Sequence, residues 1–181
     1  MSFERVGGSE LEELRAFLTE VDLTLAGLEA RTVRLWVERD ADHKIVGSTG
    51  YEISEDRRDA LIRSVAVSPQ SRKVGSGSCL ARFALSEAAR EGAQNAWLFS
   101  RRSGPFWEKP GFVSADREQL ASLLADTHQV QLFISTGQLS REVAWSKSLT
   151  ASVALTVPRA VQEHCVNVRR PTRARSTSDF R

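Results

Sequence analysis

Leu61-Ile-Arg-Ser-Val-Ala-Val-Ser-Pro-Gln-Ser-Arg-Lys-Val-Gly-Ser-Gly-Ser-Cys-Leu80 is the stretch on which the fold turns. Its β-branched opening reads as a strand over Ala60–Val67. A basic turn with two glycines follows. Leu80, Phe83, Ala84 and Ala88 then return at helical spacing, up to Gly92 as a helix stop. A helix start offers unpaired N–H groups and the positive end of the helix dipole. Gly75 and Gly77 remove side chains that would hold a phosphate away, and Arg72 and Lys73 add positive charge. Such a unit can cradle a pyrophosphate, although an ordinary strand-to-helix turn uses glycines in the same way. Ser78-Cys79 after Gly77 excludes a P-loop, which needs Lys-Ser/Thr there. A third glycine and a parallel start, both required by a dinucleotide fold, are missing.

Upstream, Thr32–Glu38 alternates, with Val33, Leu35 and Val37 on one side and Arg34, Trp36 and Glu38 on the other, as in a half-buried strand. Polar turns at Asp40–Lys44 and Glu55–Asp59 join it to strands over Lys44–Ile53 and Ala60–Val67, an antiparallel meander. Gly47 and Gly50 permit bends or close approach. Ser9 and Glu12 have capping-box spacing ahead of Leu11, Leu14, Phe17 and Leu18, which predicts a first helix over about Glu10–Glu20. A short second helix is read over Thr24–Ala30. Downstream, Ala96–Phe99 is a short buried strand, Gly104–Lys109 a short helix, Phe112-Val113 the start of a strand, Gln119–Ala125 helical and Glu142–Leu149 a last strand. Core packing is the default reading for Trp36, Trp97 and Trp145.

The chain of 181 residues, 41% hydrophobic and 27% charged, fits one domain with a real core. No apolar run approaches the roughly 20 residues of a membrane span. Met1–Arg5 lacks a signal-peptide pattern, so a cytoplasmic protein is expected. Cys79 and Cys165 are far apart, His43, His128 and His164 are scattered, and no cluster has zinc spacing, so no metal is expected. From Thr150 onward, Arg159, Arg169, Arg170, Arg173, Arg175 and Arg181 face only Glu163 and Asp179. This divides the chain into a domain over 1–149 and a basic tail over 150–181, expected to be unstructured. Phe180 is the tail's one aromatic residue, which argues against stacking on nucleic acid.

Arg72-Lys73-Val74-Gly75-Ser76-Gly77 resembles the Gln/Arg-x-x-Gly-x-Gly/Ala motif of the GNAT (GCN5-related) N-acetyltransferase superfamily, and Val65–Pro69 is similar to that family's fourth strand and the turn after it. Phe106-Trp107-Glu108-Lys109-Pro110-Gly111-Phe112 resembles its second signature. Leu61–Val67 and Gly50-Tyr51-Glu52 look like the branch of arsenic-resistance-type amino-acid N-acetyltransferases. The resemblance implies an α/β fold with a mixed, mostly antiparallel sheet flanked by helices. It implies acetyl-CoA as co-substrate, lying in a splay between the fourth and fifth strands, with no metal. The pyrophosphate would sit on the backbone from Lys73 to Ser78, with Arg72 beside it. The pantetheine would run along Val65, Ala66 and Val67, and Ser100 and Trp107 would lie alongside the cofactor. The Val67 N–H would polarise the thioester carbonyl.

The implied reaction is direct attack by the primary amine of a small molecule, an amino acid or an acidic analogue. Protein N-terminal or lysine acetylation ranks second. Trp107 stands where many family members carry a tyrosine acid. Its indole N–H only donates hydrogen bonds, which keeps a non-catalytic acyl-CoA-binding module open as an alternative. Tyr51 is a weak substitute. Glu52 reads as a base acting through water or as a holder of the substrate ammonium, or else as a solvated strand residue. Arg63 interrupts an apolar strand and needs an anionic partner, Glu52 or a substrate carboxylate. Arg101 and Arg102 are read as a solvated pair or as contacts to substrate or the CoA 3′-phosphate. Homodimers are common in the resembled family.

Overall fold

Seven strands form one sheet in the order β1-β2-β3-β4-β5-β7-β6 in a computed structural model, which describes residues 2–150. The strands are β1 (Phe3–Arg5), β2 (Val33–Arg39), β3 (Ile45–Ile53), β4 (Asp59–Val67), β5 (Asn95–Phe99), β6 (Val113–Ala115) and β7 (Ala144–Ser148). The helices are α1 (Leu11–Glu20), α2 (Ser76–Glu91), α3 (Gly104–Glu108), α4 (Arg117–Leu123) and α5 (His128–Ser135). All pairings are antiparallel except β4 with β5. The expected tail over 150–181 lies, past Thr150, outside the described residues.

Helices cover both faces of the sheet, so the half-buried alternation expected of β2 becomes burial on both sides. Leu14, Phe17 and Leu18 of α1 pack on Val33, Leu35 and Val37. On the other face, Ala81, Ala84, Leu85 and Ala88 of α2 pack on Trp36, Tyr51, Ile62 and Leu98. A third cluster joins Leu61 and Trp97 to Leu120 and Leu124 of the α4 segment and Val130 of α5. β4 is therefore sandwiched, which explains its near-continuous apolar run. The indole of Trp97 donates to Asp59 Oδ1 at 2.7 Å, so the buried aspartate ties β4 to β5 where they pair.

Two expectations are corrected, and two elements are new. The helix start is capped two residues early: the Gly7 N–H donates to Glu10 Oε2 at 2.7 Å, and a 3-10 turn over Gly8–Glu10 leads into α1. Thr24–Ala30 forms turns rather than a helix, because Gly27 is left-handed (φ +63°) and His128 presses against it. The α5 helix follows α4 within a few residues and had no counterpart in the sequence reading, and neither did the edge strand β1. The α2 helix ends as expected at Gly92 (φ +110°), with the Ala93 N–H donating to Ala88 O.

Candidate active site

β4 and β5 are parallel neighbours only at Asp59–Leu61 and Asn95–Trp97. Beyond that point they separate. A cleft of about 500 Å³ opens between their C-terminal ends, lined by Ile62–Val65, Leu98–Ser103 and Trp107, with α5 and the Asp22–Thr24 loop as its other walls.

The cause of the splay lies partly in β4 itself. Between the pairs Gly50–Arg63 and Ser48–Ala66, β3 advances two residues and β4 three. The extra residue makes a bulge, and Ser64 takes φ +56°. A left-handed serine costs on the order of 1–3 kcal/mol. The buried Ser48 hydroxyl holds the bulge by donating to Ser64 O at 2.7 Å. Past the bulge, the Ser68 N–H donates to Val46 O at 2.9 Å. Backbone alternation then turns the N–H groups of Val65 and Val67 away from β3, towards the edge that β5 has left.

The turn after β4 is open. Arg72, Lys73, Val74 and Gly75 are exposed, and Gly75, at the N-cap of α2, has φ +91°. Ser76, Gly77 and Ser78 form the first turn of α2, whose leading N–H groups have no acceptor within the helix. Gly77 lies under Phe106, 3.2 Å from where a β-carbon would sit, so the two signature segments touch. Gly75→Ala meets no neighbour but must hold a left-handed backbone. We expect it to cost about 1–2 kcal/mol in that turn and to raise the KM for acetyl-CoA, read by steady-state kinetics, with the acceptor KM unchanged.

Of the other cofactor candidates, Val65, Ser100 and Trp107 line the cleft, and Ala66 and Val67 carry β4 on towards the turn. Ser100 Oγ accepts the Ser103 N–H at 3.2 Å, which leaves its own proton to donate. Trp107 is buried between Phe106 and Phe112, edge to face with both. Arg101 and Arg102 also line the cleft, and Arg101 pairs with Glu142 at 3.5 Å.

Glu52 is corrected. It is neither solvated nor on the cleft wall: its side chain is 0% exposed. Its Oε1 accepts from Thr32 Oγ1 (3.2 Å) and His128 N (3.0 Å) and lies 2.5 Å from His128 Nδ1. Its Oε2 accepts from Arg63 Nη1 at 3.2 Å. Both oxygens of Glu52 are thus engaged by the protein. The register explains the pairing: Glu52 faces Leu61 and Gly50 faces Arg63, so Glu52 and Arg63 are diagonal neighbours on one face.

Of the two partners foreseen for Arg63, Glu52 takes one of its nitrogens. Nε and Nη2 are buried with no acceptor. Burial holds this guanidinium below its usual pKa, against the pull of Glu52. Tyr51 lies on the opposite face, in the α2 core, and donates to Glu91 Oε2 at 2.7 Å. Burial, and then that bond, raise its pKa well above the usual phenol value. Tyr51→Phe is expected to leave the pH profile of turnover unchanged and to cost about 1 kcal/mol of stability; a lost alkaline limb would return Tyr51 to the proton path.

The sequence reading missed Gln129, which lines the cleft from α5 with a buried, unpartnered Oε1. It also left His128 among the scattered histidines. Thr127 ahead of Val130 and Phe133 was the available signal, a capping residue before apolar side chains three apart. Among the described residues no group of three His, Cys, Asp or Glu could hold a metal ion, and no helix is long and apolar enough to cross a membrane.

A bulged strand that parts from its parallel neighbour, followed by an open glycine turn at a helix start, defines an acyl-CoA-dependent acyltransferase fold. The model of the acetyltransferase (GNAT) family matches residues 8–112, and the chain belongs to that family, with acetyl-CoA as co-substrate. A search of curated proteins finds no match. Among solved structures, the chain resembles N-acetylglutamate synthase from Neisseria gonorrhoeae, complexed with coenzyme A and N-acetyl-glutamate. The TM-score is 0.64 at 18% identity over 82% of this chain, which spans only 35% of that protein. It also resembles Rv2747 from Mycobacterium tuberculosis in complex with CoA (0.65, 16%, covering 82% of this chain and 99% of that one). A GNAT acetyltransferase from Staphylococcus aureus Mu50 gives 0.64 at 15% identity, covering 82% and 98%. At these identities the likeness is one of fold.

Proposed function

We propose that this protein transfers an acetyl group from acetyl-CoA to the primary amine of a small molecule, an amino acid or an analogue with an acidic group. The observation that carries this reading is the cleft itself. It opens at the β4–β5 splay and has Arg63, a buried cation with two unused donors, in its wall. A ligand carboxylate supplies the acceptors that those donors lack, and an unpaired buried donor costs about 1–3 kcal/mol. The Neisseria enzyme's complex with N-acetyl-glutamate agrees with an amino-acid acceptor.

In this reading the α2 turn, Arg72 to Ser78, holds the pyrophosphate, and Val65, Ala66 and Val67 guide the pantetheine. The Val67 N–H faces the carbonyl oxygen that gains charge as the amine adds, and a fixed donor there stabilises that charge. The N–C bond forms, the C–S bond breaks, one amine proton is lost and the thiolate gains one. A thiolate with a conjugate pKa of about 8.5 leaves without a dedicated acid, so Trp107 shapes the cofactor's surroundings and solvent carries the protons. Glu52 acts by holding Arg63 in place.

The test is CoA release from acetyl-CoA, measured with a panel of amino acids and other amines. Release that depends on the added amine supports transfer. Binding of acetyl-CoA with turnover on no amine would make the domain a binding module. Turnover confined to peptide amines would move the acceptor to proteins.

A further inference from the structure

Four buried side-chain atoms lack a partner among the described residues: Nε and Nη2 of Arg63, Oγ of Ser64 and Oε1 of Gln129. All three residues line the same cleft. Buried polar groups in folded proteins are nearly always paired. A cluster of exceptions in one wall therefore marks where a ligand's own polar groups complete the set. The unmet needs are of both signs: Arg63 lacks acceptors, whereas Gln129 Oε1 lacks a donor. A ligand that answers both carries an anion and an N–H group a short distance apart.

Glu52 links the two readers. One of its oxygens takes Arg63 Nη1, and the other takes the backbone N–H of His128, the first residue of α5 and the neighbour of Gln129. A single buried carboxylate on β3 thus ties the β4 arginine to the start of the helix that carries the glutamine. His128 Nδ1 and Thr32 Oγ1 anchor the same carboxylate. The guanidinium points its remaining edge, Nε and Nη2, away from this strut. That edge has the fork geometry that grips a carboxylate with two parallel bonds. Gln129 Oε1 is as buried as the two Arg63 nitrogens, so it too meets a ligand only with a side-chain shift.

Resting on the reading of this cleft as the acceptor site, we propose that the acceptor is an α-amino acid read at both ends of its backbone. Its carboxylate lies on Nε and Nη2 of Arg63, and its amino group donates to Gln129 Oε1. Glu52 is the positioning residue that sets the gap between them. Arg63 has no side-chain surface open to water, so the carboxylate is taken up with a side-chain shift at the cleft floor. Gln129 is not a base. It orients the nitrogen lone pair by holding one N–H, and the proton lost on acylation goes to solvent.

The experiment compares kcat/KM for each of several L-amino acids with that for the amine left when its carboxyl group is removed. Wild-type protein, Gln129→Leu and Glu52→Gln are compared, with CoA binding followed by calorimetry in each. The expected result is a wild-type preference for the acid of at least about tenfold, the value of one charge-assisted hydrogen bond. Gln129→Leu should lower kcat/KM for acid and amine alike by about fivefold to tenfold, because both contain the nitrogen it reads. Glu52→Gln should raise the acid's KM more than it lowers kcat and shrink the acid-to-amine ratio, while the affinity for CoA stays within about twofold. A merely structural role for Glu52 would leave that ratio intact, which would overturn its part of the proposal. Wild-type protein that acetylates amines as well as the matching acids would overturn the proposal while leaving the cleft as an acceptor site. Turnover on no amine, with CoA still bound, would overturn both. The wild-type ratio decides the main point even if a variant fails to fold.

Discussion

Arg63→Met is expected to raise the acceptor's KM by about 10–100-fold while the KM for acetyl-CoA stays within about threefold. Hydrogen bonds to a charged partner are worth about 1.5–3 kcal/mol, and only the acceptor is placed on this guanidinium. Equal effects on both substrates would remove Arg63 from the acceptor site. The same substitution should be costly to the fold. Arg63 and Glu52 are both 0% exposed in their side chains, and methionine leaves the carboxylate without its cation. Breaking such a buried pair costs about 3–5 kcal/mol. For a chain of this length that corresponds to roughly 6–20 °C in the melting temperature. The double variant Arg63→Met/Glu52→Gln should recover part of the loss, because it removes the stranded charge. Calorimetry on the four proteins of this cycle reads the coupling directly. A double variant no more stable than Arg63→Met would show that the pair's charge is not what its burial makes costly.

The second large effect is steric. A β-carbon on Gly50 would sit 2.2 Å from the carbonyl oxygen of Arg34 and 2.9 Å from Leu35 Cδ2. The nearer atom is backbone of the adjacent strand and cannot swing aside. Gly50→Ala therefore has to push β2 from β3 next to the Glu52 carboxylate. Overpacking of this kind costs typically about 1–3 kcal/mol, and the backbone contact puts Gly50 at the upper end or beyond. Urea unfolding should show it as a lower midpoint with an unchanged slope. Gly75→Ala, which meets open space, is the internal contrast: its cost is limited to the left-handed turn, about 1–2 kcal/mol, and its main defect should be in acetyl-CoA binding. If the two variants lost stability equally, close packing would not be the reason for glycine at position 50.

The meander, the strand that feeds a glycine turn, the amphipathic α2 helix and its Gly92 stop were all legible along the chain. Each is a local pattern, set by side-chain period, turn residues and backbone permission, and each needs only residues a few positions apart. The open turn proposed to hold the cofactor was legible for the same reason, since it is contiguous from Arg72 to Ser78. Two regions misled: a left-handed Gly27 broke a helix read over Thr24–Ala30, and His128, which presses on that glycine, is remote in sequence.

The sequence by itself determined that a strand runs into an open glycine turn at a helix start, because turn residues and side-chain period are local signals. It also determined that Arg63 needs an anion, since a cation in an apolar strand cannot stay unpaired. Only the tertiary structure decided which anion it has, how many donors it keeps in reserve, and that Gln129 shares its cleft. Those facts depend on β3, β4 and α5 meeting around one carboxylate. A hydrogen bond between residues 76 positions apart, as from His128 to Glu52, leaves no periodicity in the chain from which it could be read.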